Sequence, residues 1–81
     1  MRAWINGHLL ADATAPAVGV TDHGLTVGDG VFEAIKVVDG LPFALTRHLE
    51  RLGRSAHGMG LPDVDDAAAR RALAELDLAG R

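Results

Sequence analysis

A lone lysine and a nearby glutamate share the apolar segment Val31-Phe32-Glu33-Ala34-Ile35-Lys36-Val37-Val38. In an extended chain alternate residues point to opposite faces, so Glu33 lies with Val31, Ile35 and Val37, and Lys36 with Phe32, Ala34 and Val38. A charge among apolar neighbours is costly unless it is paired or brought to water. Lys36 therefore either snorkels its ammonium to solvent from a strand end or meets an anionic ligand in a pocket. A second cationic set follows in Thr46-Arg47-His48-Leu49-Glu50-Arg51-Leu52-Gly53-Arg54-Ser55-Ala56, where Arg47, Arg51 and Arg54 fall on one helical stripe beside the leucines. That stripe is either a solvated face, with Glu50 and Arg54 as an i,i+4 pair, or a place where a planar guanidinium holds a phosphate through its fork of donors.

The remaining chemistry-bearing residues are more open. Gly24-Leu25-Thr26-Val27-Gly28-Asp29-Gly30 precedes an extended segment, whereas phosphate-cradling loops follow a strand and open a helix. Its glycines serve either tight backbone or a loop shaped to approach a ligand or another subunit. His8, His23, His48 and His57 show no i,i+4 pair and no carboxylate cluster with metal-ligand spacing, so no metal site is expected; His48 could cap, pack or titrate. The absence of cysteine removes disulfides, thiolate metal sites and cysteine nucleophiles together, which makes a reducing cytoplasm the default compartment.

The elements that must position these groups come from an 81-residue chain, 48% apolar and 23% charged. A domain of this size removes only about 60% of its unfolded surface from water, so its core is thin. The net charge of −3 argues against a surface built to neutralise a phosphate backbone, and nucleic acid is not an expected partner. No apolar run approaches the roughly 20 residues of a membrane span, and Met1-Arg2-Ala3-Trp4 does not open a signal peptide.

Asn6-Gly7 and Asp39-Gly40 suit type I′ turns and predict two hairpins, residues 2–5 with 8–11 and Val31–Val38 with Leu41–Leu45, with a further extended piece over Ala17–Val20. From Leu45 the apolar spacing becomes helical through Leu49, Leu52, Ala56 and Met59, with Thr46 as the expected N-cap and Gly58 and Gly60 as breakers. A second helix is expected to open at Asp63, with Asp65 and Asp66 in its first turn and Val64, Ala68, Ala72 and Leu76 facing inward. The fold class is α+β: an antiparallel sheet over residues 1–45 covered on one face by two C-terminal helices over 46–81, in a single small domain. A chain ending at Gly80-Arg81, directly after an alanine-rich helix, reads as interrupted.

Taken together, Trp4-Ile5-Asn6-Gly7, Asp22-His23-Gly24, Gly28-Asp29-Gly30-Val31-Phe32-Glu33, His48-Leu49-Glu50-Arg51-Leu52 and Ser55-Ala56 resemble the N-terminal small domain of the class IV, fold-type IV enzymes that use pyridoxal 5′-phosphate. That family includes branched-chain aminotransferases, D-amino-acid aminotransferases and 4-amino-4-deoxychorismate lyases, and the resemblance runs over residues 2–61. It implies that Arg51 binds the cofactor phosphate, that Phe32 lines the substrate pocket with Lys36 beyond it to receive a substrate carboxylate, and that the loop around Val27 reaches the neighbouring subunit's active site in a homodimer. It also implies that Glu33 is a buried structural acid, hydrogen-bonded within the small domain. The Gly28–Ala34 sequence leans toward the lyase and D-amino-acid branch.

The family's Schiff-base lysine lies in a second domain, and Lys36 does not match its context. The cofactor acts as electron sink, and its enzyme must supply the amine that carries it and a base near the substrate carbon. The expectation is therefore that these residues form one domain of a cytoplasmic aminotransferase or lyase, inactive alone, acting on an amino acid or aminodeoxychorismate. The alternative is a non-catalytic, free-standing interaction or dimerisation module.

Overall fold

The computed structural model describes residues 2–79. Asn6 and Gly7 take φ values of 51° and 92°, which reverses the chain between β1 (Trp4–Ile5) and β2 (His8–Leu9) with Trp4 opposite Leu9 and Ile5 opposite His8. The Leu10 N–H donates to the Ala3 carbonyl at 2.9 Å and extends the ladder by a step. Asp39 and Gly40, at 51° and 76°, do the same between β3 (Val37–Val38) and β4 (Leu41–Pro42). The Phe43 N–H donates to the Lys36 carbonyl at 2.7 Å, so the alternation of an antiparallel ladder puts the Val37–Pro42 pair at a non-hydrogen-bonded position. Proline is tolerated there because no ladder N–H is missing.

Both hairpins thus form at the expected turns, but shorter than expected and as two separate ladders. Residues 31–36 are not a strand: the Phe43 N–H reaches the Lys36 carbonyl, but among the described residues no chain lies alongside to exchange backbone hydrogen bonds with 31–35. Their period-two character survives in burial: Val31, Glu33 and Ile35 are half-buried while Phe32, Ala34 and Lys36 are exposed. Ala17–Val20 likewise joins no ladder and runs into a turn. The glycine-rich stretch begins with a single helical turn, α1 (His23–Thr26), where Asp22 Oδ1 accepts the Gly24 N–H at 2.8 Å.

Two longer helices follow. In α2 (Leu45–Gly58), Leu45, Leu49, Leu52 and Ala56 turn inward as their spacing requires, while Met59 caps the end and is exposed. Thr46 is not the N-cap: the chain leaves β4 through Ala44 in the left-handed region (φ 55°), so Thr46 is already inside the first turn, and its Oγ1 accepts from Arg70 Nη2 at 3.2 Å. The helix continues through Gly58 and stops at Gly60 (φ 70°), with the Leu61 N–H reaching back to the Ala56 carbonyl at 2.9 Å. The last helix, α3 (Asp66–Glu75), opens later than Asp63, because Asp65 is the residue whose side chain caps it, accepting the Ala68 N–H at 3.0 Å. Val64, Ala68, Ala72 and Leu76 are half-buried, as their spacing predicts.

Polar contacts tie α3 to the first hairpin. Arg2 Nη1 donates to the carbonyls of Leu76 (2.5 Å) and Asp77 (2.6 Å), satisfying acceptors that a helix C-terminus leaves open. Trp4 Nε1 donates to Glu75 Oε2 at 2.6 Å, and the Arg71 guanidinium stands 6.0 Å from the Trp4 ring centroid. Among the described residues only Leu49 (8% exposed) and Ala56 (3%) are buried, so this is an α+β unit with a thin core. Gly40 is pinned on both counts, by its positive φ and by Ala79, whose Cβ and Cα would lie 3.1 and 3.2 Å from an added methyl. Gly40→Ala is expected to destabilise the domain by about 1–2 kcal/mol, as measured by urea unfolding. The Gly80-Arg81 end, on which the expectation of an interrupted chain rests, lies outside the described residues.

Candidate anion-binding site

Glu33 projects from the inward-facing side of the 31–36 segment, and α2 brings His48 and Arg51, three residues apart, to meet it. Arg51 Nε donates to Oε1 and Oε2 of Glu33 at 3.0 and 3.1 Å, and Arg51 Nη2 donates to Oε1 at 2.7 Å. His48 Nδ1 lies 2.7 Å from the same Oε1. The carboxylate and the imidazole are largely enclosed, with side-chain exposures of 14% and 17%, whereas Arg51 forms the outer layer at 58%.

Arg51, and after it His48, hold the Glu33 carboxyl down at about 2, against the upward push of desolvation, and Glu33 in turn raises the Arg51 pKa. An ionised carboxylate only accepts, so Nδ1 of His48 carries the proton and donates to Glu33. The 3.3 Å approach of Arg51 Nη2 to that nitrogen is therefore a contact within the cluster and not a further hydrogen bond. The expected enclosed, hydrogen-bonded acid is thus present at Glu33.

The stabilisation from a depressed carboxyl pKa is complete above the unfolded value, near 4.5, and disappears as pH falls toward the folded value of about 2. Thermal melting from pH 6 down to pH 2 is accordingly expected to show a steeper loss for the natural protein than for Glu33→Gln. Parallel curves would remove Glu33 from the acid response.

With Nε and Nη2 engaged by Glu33, Nη1 of Arg51 makes no hydrogen bond among the described residues. The guanidinium borders a shallow hollow of about 270 Å³ lined by Phe43, Ala44, Arg47, His48, Arg51 and Arg54. Arg47 and Arg54 form no ion pair among the described residues, and the expected Glu50–Arg54 pair is not made. Three guanidinium groups thus face this region against one carboxylate. That donor set fits an anion of more than one charge, such as a phosphomonoester, better than a neutral ligand.

Glu33 and His48 also line an apolar groove of about 500 Å³, whose walls include Trp4, Val31, Phe32, Leu49 and Leu73. Phe32 stands at its rim, 87% exposed. The structure therefore brings Arg51 and Phe32 to two hollows that have His48 in common, with Glu33 lining the one that Phe32 borders. Lys36 and Val27 are exposed and border neither. The Glu33–His48–Arg51 cluster itself escaped the sequence reading, which left His48 open. Its signal was available in combination: an acid on the inward face of one segment and a histidine one helical turn before an arginine.

No family model matches the chain. Among solved structures, a fold IV transaminase from Curtobacterium pusillum superposes with a TM-score of 0.73 and 45% identity, over 86% of this chain and 25% of that one. The architecture is therefore that of the fold-type IV transaminases. A Methanocaldococcus jannaschii protein, provisionally described as a branched-chain-amino-acid aminotransferase, is 44% identical over 59 residues, covering 73% of this chain and 20% of that protein. D-alanine aminotransferase from Bacillus licheniformis is 35% identical over 77 residues, 94% of this chain and 27% of that enzyme. The corresponding enzyme of Staphylococcus aureus strain N315 is 38% identical over 60 residues, 74% of this chain and 21% of that enzyme. Sequence and fold together support a class IV aminotransferase N-terminal domain. It spans about a fifth to a quarter of the length of the relatives it matches.

Proposed function

We propose that this chain is the small domain of a pyridoxal 5′-phosphate-dependent aminotransferase or 4-amino-4-deoxychorismate lyase, and that its part in the work is to hold the cofactor phosphate. The observation that carries this reading is the arginine-lined hollow built on the Arg51–Glu33–His48 cluster. Arg51, with one edge committed to Glu33, offers Nη1 and the outer face of its guanidinium to the phosphate, and Arg47 and Arg54 add positive charge around it. When bound, the cofactor supplies the electron sink for deprotonation at the substrate α-carbon. Phe32 lines the substrate side, at the rim of the apolar groove.

The Schiff-base lysine belongs to a second domain of the complete polypeptide, since Lys36 is the only lysine of this chain and borders neither hollow. The loop around Val27 contributes to a homodimer interface. Exposed Leu25, Val27, Leu41 and Phe43 support a domain that docks on further protein over a free-standing monomeric module. The substrate is an amino acid or aminodeoxychorismate. The absence of cysteine and of any described helix long and apolar enough to cross a membrane supports a cytoplasmic enzyme.

The test is to add pyridoxal 5′-phosphate to the cofactor-free complete polypeptide, and separately pyridoxal, which lacks the phosphate. Tight retention of the first with a visible absorbance band, and weak retention of the second, is expected. Equal retention of the two would remove phosphate binding from the reading.

A further inference from the structure

Arg51 is the most exposed member of its cluster, and a long side chain in that position loses rotamer freedom only if something holds it. Glu33 does so through Nε and Nη2. Yet Glu33 itself extends from a segment with no ladder partner among the described residues, so backbone pairing does not fix its carboxylate there. The remaining restraint is the hydrogen bond from His48 Nδ1, 2.7 Å away, and His48 is anchored on α2 one turn from Arg51. The contacts close a ring from the helix through Arg51, Glu33 and His48 back to the helix.

We propose that His48 is a positioning residue of the anion site: by donating Nδ1–H to Glu33 it sets the carboxylate that orients Arg51 and so presents the guanidinium, already arranged, to a phosphomonoester. This rests on the reading that Arg51 holds the cofactor phosphate. His48 acts through Glu33, and its Nε2 is not required. Preorganisation of this kind strengthens binding by removing the ordering cost at the moment of association.

The experiment measures dissociation constants of pyridoxal 5′-phosphate and of pyridoxal on the cofactor-free complete polypeptide, and takes their ratio as the contribution of the phosphate. His48→Asn places an amide N–H where Nδ1–H stands, whereas His48→Gln places its amide nearer to Nε2. His48→Leu removes both donors. The ratio is expected to fall about tenfold in His48→Leu and His48→Gln and to stay within about twofold of the natural value in His48→Asn. Melting temperatures without cofactor accompany each variant. If His48→Leu does not fold, the Asn and Gln variants decide the matter alone. Loss in Asn equal to that in Gln, or no loss in Gln, overturns the proposal. Arg51→Ala separates the two levels. If it collapses the ratio while the His48 variants leave it untouched, only the positioning role fails; if it leaves the ratio unchanged, phosphate binding by Arg51 fails and the positioning role with it.

Discussion

Arg51→Ala is expected to weaken the affinity of the complete polypeptide for pyridoxal 5′-phosphate by about 30- to 100-fold, while changing that for pyridoxal by no more than about threefold. Two losses combine in the larger figure. The charge-assisted donors vanish, and the hollow loses the cation that neutralises Glu33, whose carboxylate would then face the phosphate's own negative charge. Arg51→Lys should fall between the two, since one ammonium cannot grip both oxygens of Glu33 and still offer a second edge to a ligand. Equilibrium dialysis with both ligands, paired with melting curves of the cofactor-free protein, makes the measurement. An equal loss for both ligands, matched by an equal loss of stability, would return Arg51 to a purely structural role.

Leu49→Ala should cost about 2–3 kcal/mol in urea unfolding with the slope unchanged, a sizeable part of the roughly 5–15 kcal/mol that a folded domain has to lose. Leu49 and Ala56 are the only buried residues described, and Leu49 also forms part of the floor of the apolar groove. The expected cost lies toward the lower end for a leucine truncation because an open groove lets neighbouring side chains relax into the vacated volume. Met59→Ala, at the exposed end of the same apolar spacing, should change stability by less than about 0.5 kcal/mol. Similar costs at both positions would show that the core does not centre on Leu49.

The acid titration of Glu33, the Arg51 series and the His48 variants address one cluster from three directions. The first reads the ion pair as a stability device, the second reads the guanidinium as a ligand group, and the third reads the coupling between them. In the natural protein Glu33 serves both ends, because the interaction that keeps it ionised also restrains the side chain offered to the anion. A protein that only needed the hollow to be cationic could dispense with the acid. Its pairing with Arg51 alone, while Arg47 and Arg54 line the same hollow without an ion pair among the described residues, points to orientation beyond charge as what Glu33 adds.

Local chemistry made much of this legible from residue order. Asn6-Gly7 and Asp39-Gly40 determine their turns because positive φ is inexpensive for those residues, and the spacing of Leu45, Leu49, Leu52 and Ala56 determines which side of α2 is inward. The alternation across residues 31–36 likewise put Glu33 and Phe32 on opposite faces, and packing decided which of the two is inward. What residue order left open depended on neighbours distant along the chain. Whether 31–36 becomes a strand is a question of a hydrogen-bonding partner, and no periodicity within the segment can supply one. Thr46 has the chemistry of an N-cap, yet the path out of β4 through Ala44 starts the helix before it.

The decisive case is the cluster itself. An acid at position 33 and a histidine and arginine three residues apart on α2 each have several solutions when taken alone: water, a cap, or a solvated stripe. Only packing the segment against the helix brings the three within hydrogen-bonding distance, 15 to 18 residues apart in sequence. A contact between elements is decided by where the elements lie, whereas a turn or an amphipathic face is decided by the residues that compose it.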